Sequence, residues 1–257
     1  MKEKIRVAAV NYLNAKPLLR GLEHHPIRER IDWLTDYPAR VADDLRAGRV
    51  DISLMPVAAM LSIPESYVVG NYGIAARGNV VSVALFSEVP MEEIQAVYLD
   101  YQSRTSVRLA QLLLKHFWRK NVTYLPAPED YMERIGGTTA GVIIGDRALE
   151  RLHQFPFVYD LSKGWEAWQQ LPFVFAAWIA RMPLPEDFVE AFDAAQRGGL
   201  AQLDAVIAEN PFPAYDLNQY YTQNIVYELG AEERKGLAAF LRLLRDEPGV
   251  GFSGKES

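Results

Sequence analysis

The chain of 257 residues contains no cysteine. Disulfides, thiolate nucleophiles, iron–sulfur ligation and sulfur-ligated zinc are therefore excluded. Histidine is scarce: His24, His25, His116 and His153. None forms an H-x-x-x-H pair, and His24-His25 runs into Pro26, so we expect no metal site. Long hydrophobic runs are missing too. The longest, Leu171 to Ala180, has 10 residues, against the ~20 of a spanning helix. Behind the charged start, the apolar stretch Val7 to Val10 stops at Asn11, short of the ~7–15 residues of a secretory core. We expect a cytoplasmic protein with no membrane partner. Positive charge is in deficit: 27 Lys and Arg face 33 Asp and Glu, a net charge of -6. Nucleic acid is thereby an unexpected partner, since its binding rests on Lys and Arg neutralising phosphates. A small anion needs only a local positive field and stays open. No G-x-G-x-x-G, P-loop or G-x-S-x-G elbow is present, so no nucleotide cradle or hydrolase triad can be argued.

What is present is globular: 49% apolar and 23% charged residues. The length fits between one and two domains. Short apolar runs predict strands over Ile5–Val10, Ile31–Leu34 and Val50–Met55. Helical patterns fall between them, at Pro17–Leu22 and Pro38–Leu45, and a short helix opens at Pro56. This βαβαβ order predicts parallel strands. Val80–Phe86 reads as a long strand. A second set follows: strands Ala96–Leu99, Val122–Leu125, Gly141–Ile144 and Phe157–Tyr159, and a helix over Thr105–Phe117. Phe173–Ile179 reads as another long strand. The remainder reads as helices at Pro185–Gln196, Leu200–Ala208, Leu217–Leu229 and Glu232–Arg245. Two α/β sets divided by long strands predict two lobes: residues 1–82 with 176–257, and residues 83–175. The ligand would lie at the C-terminal strand ends.

Two loops carry candidate chemistry. Asn11-Tyr12-Leu13-Asn14-Ala15-Lys16-Pro17 joins a strand end to a helix start, where backbone N–H groups face a ligand. It is equally an Asx-turn with an Asn cap. Asp100-Tyr101-Gln102-Ser103-Arg104-Thr105-Ser106 again opens a helix. Its hydroxyls and its Arg would cradle a carboxylate or phosphate, whereas a plain cap needs one hydroxyl. Ser82 has no supporting spacing of its own. The doublets Asp43-Asp44, Glu92-Glu93 and Glu232-Glu233 read as solvated helix faces. Trp165, Trp168, Phe173, Phe175 and Trp178 read as core or hinge packing.

Seven segments taken together are more specific. They are Val10–Leu18, Val50–Val57, Val81–Pro90, Ser103–Ser106, Val142–Asp146, Leu171–Ala176 and Tyr220–Ile225. In this order they resemble the menaquinone-biosynthesis chorismate dehydratases of the futalosine pathway. The resemblance implies an α/β fold: the two-lobed periplasmic-binding-protein type II fold, with a ligand cleft between lobes, reused as a cytoplasmic enzyme. It implies a carbon–oxygen lyase that dehydrates chorismate to 3-[(1-carboxyvinyl)oxy]benzoate. It places catalytic weight on Asn14 and Ser82. It brings Tyr12, Pro56, Ser103, Thr105, Ser106, Gly145 and Asp146 forward as substrate-binding residues. Aromatisation drives such a reaction, so no cofactor is expected. The sequence sets no oligomeric state. Two alternatives stand beside this expectation: a non-catalytic small-anion binding protein of the same fold, and another aromatic-acid lyase such as a dihydroxynaphthoate synthase.

Overall fold

A computed structural model describes residues 4–35, 38–100 and 104–247. Its strands are β1 (Ile5–Ala9), β2 (Ile31–Thr35), β3 (Ile52–Pro56), β4 (Tyr67–Ala76), β5 (Val83–Ser87), β6 (Ala96–Leu99), β7 (Thr123–Pro126), β8 (Thr139–Ile144), β9 (Phe157–Asp160), β10 (Phe173–Ala180) and β11 (Val226–Glu228). The α-helices are α1 (Lys16–His24), α2 (Pro38–Arg46), α3 (Arg104–Leu112), α4 (Asp146–Arg151), α5 (Leu161–Gln169), α6 (Glu186–Leu200), α7 (Leu203–Glu209), α8 (Leu217–Gln219) and α9 (Ala231–Asp246). Among the described residues, no helix is long and apolar enough to cross a membrane.

Two sheets result. The first has six strands in the order β11-β4-β10-β3-β1-β2, the second five in the order β7-β6-β8-β5-β9. β1 pairs in parallel with both β2 and β3, as the βαβαβ pattern predicts. β10 is antiparallel to β3 and β4. In the second sheet β6 is parallel to β7 and β8, and β5 is antiparallel to β8 and β9. Every residue of β10 is buried, so it reads as one apolar run, the mark of a strand covered on both faces. Most core side chains join one cluster that runs through both sheets. A smaller cluster, with Phe86, Tyr131 and Ile143, covers another part of the second sheet.

Three expectations are corrected here. The strand expected over Val80–Phe86 begins only at Val83. Val80 to Ser82 instead form a tight turn, in which the Ser82 N–H donates to the Val80 carbonyl at 2.7 Å. The long strand preceding this crossing is β4, which the apolar pattern hides because Gly70, Asn71 and Gly73 interrupt it. Gly70 has a φ of +64°, and a Cβ there would lie 2.1 Å from an Asp193 carboxylate oxygen. That same carboxylate accepts the Asn71 N–H at 3.0 Å and its Nδ2 at 2.7 Å. The helix expected over Leu217–Leu229 breaks after α8. A π-type turn over Tyr220–Asn224 follows, and β11 then pairs with the β4 edge. Sheet pairing there overrides local helical spacing.

The aromatic group is core, as its spacing suggests. Trp165, on α5, is fully buried and meets Trp168, Phe173 and Phe240 edge-on. Its indole Nε1 donates to the Pro172 carbonyl at 3.2 Å. α5 itself starts where Asp160 caps it, accepting the Ser162 and Lys163 N–H groups at 2.9 and 3.1 Å.

Candidate active site

The parallel strands β1, β3 and β8 end around one narrow cavity. Tyr12 and Asn14 reach it from the loop after β1, and Pro56 from the end of β3. Val80 and Ser82 reach it from the crossing, Ser106 from α3 and Gly145 from the turn after β8. Phe175, Ile74, Val83 and Ile144 supply apolar walls. Among the described lining residues none is Lys or Arg. Six of the expected residues, Asn14, Ser82, Tyr12, Pro56, Ser106 and Gly145, are thus brought together. Gly145 has a φ of +66°, a conformation that strains other residues.

Ser82 is held at every backbone contact. Its N–H closes the Val80 turn, and its carbonyl accepts the Gly145 N–H at 2.7 Å. Its side chain is fully buried, with Oγ 2.8 Å from the Tyr220 hydroxyl. Tyr220 is itself fully buried, and burial pushes its phenol far above the ordinary range. It therefore keeps its proton and serves as a donor. Asn14 stands close to the same hydroxyl, and its buried Oδ1 has no protein partner. Because the Tyr220 hydroxyl is the donor to Ser82 Oγ, the Ser82 proton is left for another acceptor. The backbone of Asn14 is fixed from far away: the Tyr227 hydroxyl donates to its carbonyl at 2.9 Å, from a position 213 residues later in the chain.

Asp146 does not line this cavity; it supports it from behind. Its Oδ1 accepts the Leu13 N–H at 3.3 Å, tying the loop after β1 to the start of α4. Burial raises its pKa, against the opposing effects of that N–H and of Lys16 and Arg147. Tyr221 stands nearby, its phenol raised first by burial and then by the Asp146 charge. The Tyr221 hydroxyl is buried without a partner. Thr105 also faces elsewhere. Its Oγ1 accepts the Ala58 N–H at 3.0 Å, joining α3 to the turn after β3. Ser103, expected to grip a carboxylate, lies outside the described residues. Asp100, at the end of β6, is buried in an ion pair with Arg147 at 2.6 Å, beside the Tyr131 hydroxyl at 2.8 Å. Sequence reasoning assigned no role to Tyr220, Tyr221 or Tyr227. Their signal was three tyrosines within one short segment, Tyr220 to Tyr227.

The sequence pattern of a family described as menaquinone biosynthesis matches residues 5–246. The chain belongs to that family. One relative, the chorismate dehydratase of Thermus thermophilus, is 33% identical over 91% of this chain and 92% of its own length. Among solved structures, an ABC transporter protein from Parabacteroides distasonis aligns over 100% of both chains at TM-score 0.69 and 17% identity. The periplasmic aliphatic sulphonate binding protein of Escherichia coli aligns over 96% of this chain and 88% of its own, at TM-score 0.64 and 16% identity. At such identities these likenesses show the fold alone: this family member has the α/β periplasmic-binding-protein fold, with two sheets.

Proposed function

We infer that this family member is a chorismate dehydratase, a carbon–oxygen lyase of the futalosine route to menaquinone. The observation that carries this reading is the 33% identity to the Thermus thermophilus chorismate dehydratase over nearly the whole chain. Bringing Asn14 and Ser82 to the same cavity, with Ser82 bonded to the buried Tyr220, supports it. We take the two sheets as the cores of two lobes, residues 1–82 with 176–257 and residues 83–175, closing on the substrate between them.

The reaction converts chorismate to 3-[(1-carboxyvinyl)oxy]benzoate and one water. The ring C3 proton and the C4 hydroxyl depart, and the ring becomes aromatic. The site must hold both bonds in register. Chorismate is a dianion, and no Lys or Arg is among the described residues lining the cavity. Its carboxylates are then held by hydroxyl, amide and backbone N–H donors. Ser106, at the start of α3, takes one. Asn14 holds the enolpyruvyl carboxylate, which itself removes the C3 proton. Ser82, polarised by Tyr220, donates to the oxygen that bears the developing charge. Asp146, whose pKa burial raises, is the alternative base.

Incubation with chorismate, followed by mass spectrometry, tests this directly. Loss of one water is expected from the parent protein and not from Ser82→Ala. Chorismate bound and returned unchanged would make the protein a binding module of this fold.

A further inference from the structure

Val81 is a β-branched residue with a φ of +60°, a backbone conformation in which such residues are genuine outliers. It is the centre of the three-residue turn closed by the Ser82 N–H and the Val80 carbonyl. A strained turn persists only where its surroundings over-determine it. The group that does so is Asp160, at the end of β9. Its Oδ2 accepts the Val81 N–H at 2.7 Å, while its Oδ1 caps α5 through Ser162 and Lys163. One carboxylate thus performs two separable tasks with two oxygens. Asp160 is not among the described residues that line the cavity. If Val81 relaxed to a negative φ, the next residue would turn away, and the 2.8 Å contact of Ser82 with Tyr220 would open.

We propose that Asp160 is a positioning residue for the reaction: it holds Val81 in its left-handed turn and so aims the Ser82 hydroxyl into the cavity. This rests on the chorismate dehydratase reading for its catalytic consequence and on geometry alone for the anchoring itself.

The informative variant is Asp160→Ser. A serine caps a helix about as well as aspartate but is too short to bridge to Val81 as well. Its melting temperature should fall by only a few degrees, for the one N–H left without its acceptor. Its kcat should fall roughly 10- to 100-fold, the scale of a misplaced catalytic group, with KM changed much less. Adding Val81→Gly should then recover most of the lost kcat, because glycine adopts a positive φ without strain. A structural role alone would not produce that rescue. Amide hydrogen exchange at Val81 should quicken in Asp160→Ser. A folded Asp160→Ser protein with parental kcat would overturn the proposal, as would a loss of kcat that Val81→Gly does not restore. Should Asp160→Ser not fold, Asp160→Asn, which preserves volume, takes its place with the same outcomes. If the parent protein leaves chorismate unchanged, the functional reading fails. The exchange measurement then decides the anchoring by itself, and unaltered protection at Val81 refutes it.

Discussion

The bond between Tyr220 and Ser82 makes a prediction that can be worked through in numbers. Both side chains are fully buried and their oxygens are 2.8 Å apart. Tyr220→Phe removes one oxygen and leaves Ser82 Oγ buried without its donor, at a cost of ~1–3 kcal/mol. Ser82→Ala strands the buried phenol instead, at a cost of the same order, ~1–3 kcal/mol. In the double variant neither polar group remains, and replacing both partners by apolar atoms is nearly neutral. The double variant should therefore be no less stable than Tyr220→Phe alone, a coupling of ~1–2 kcal/mol. Urea melts of all four proteins measure it; in heat, each kcal/mol shifts a chain of this size by ~2–4 °C. Turnover should follow the same logic. Both single variants slow the enzyme, and the double variant is no slower than Ser82→Ala. Stabilities that add to within ~0.5 kcal/mol would refute the bond and, with it, the alignment of the Ser82 proton.

Other variants separate binding from scaffold. Asn14→Asp should lower turnover ~100- to 1,000-fold, because a carboxylate beside the substrate's own carboxylate repels it and donates nothing; near-parental turnover in a chorismate assay would show that Asn14 only forms the turn. Thr105→Ala should cost ~1–3 kcal/mol in a melt by orphaning the Ala58 N–H, with dicarboxylate affinity little changed. Ser106→Ala should do the reverse, weakening dicarboxylate affinity ~5- to 10-fold in a titration for the loss of about one hydrogen bond; exchanged phenotypes would sink the assignment. Asp146 has a raised pKa in the folded chain, so the folded state binds its proton more readily than the unfolded one, and stability falls as pH rises past the ordinary carboxylate range. Asp146→Asn should accordingly exceed the parent in stability at about pH 8, and the gap should shrink on acidification to about pH 4; a gap that widens on acidification contradicts the assigned shift.

Much of the first sheet was legible because β3, β10 and the Val7–Ala9 part of β1 are buried and read as apolar runs. β4 was not, because its bulge needs Gly70 and Asn71 where a strand pattern wants apolar residues. β11 was not, because a three-residue edge strand owes its existence to β4 and not to its own sequence. α5 escaped notice among its tryptophans, although Asp160 two residues before Ser162 is a local cap signal. At the site, position after a strand end was enough to single out the Asn11–Pro17 loop that carries Tyr12 and Asn14. Ser82 entered only through family resemblance, since its partner Tyr220 is 138 residues away and no local pattern encodes such a pair. Thr105 looked like its neighbour Ser106 in sequence; only packing divides them, one against the Ala58 N–H and the other toward the cavity.

The contact between Tyr227 and Asn14 has a consequence for how the protein is made. Asn14 leaves the ribosome long before the hydroxyl that fixes its carbonyl, which follows 213 residues later. At ~5–20 residues per second the interval is about 10–40 s. Throughout that time β1 can pair with β2 and β3, yet the loop that ends it has no Tyr227 and Ser82 has no Tyr220. The wall of the cavity is held by a segment made long after it, so a nascent chain halted before Tyr220 carries Asn14, Ser82 and Ser106 but neither Tyr220 nor Tyr227, the hydroxyls that hold Ser82 and Asn14.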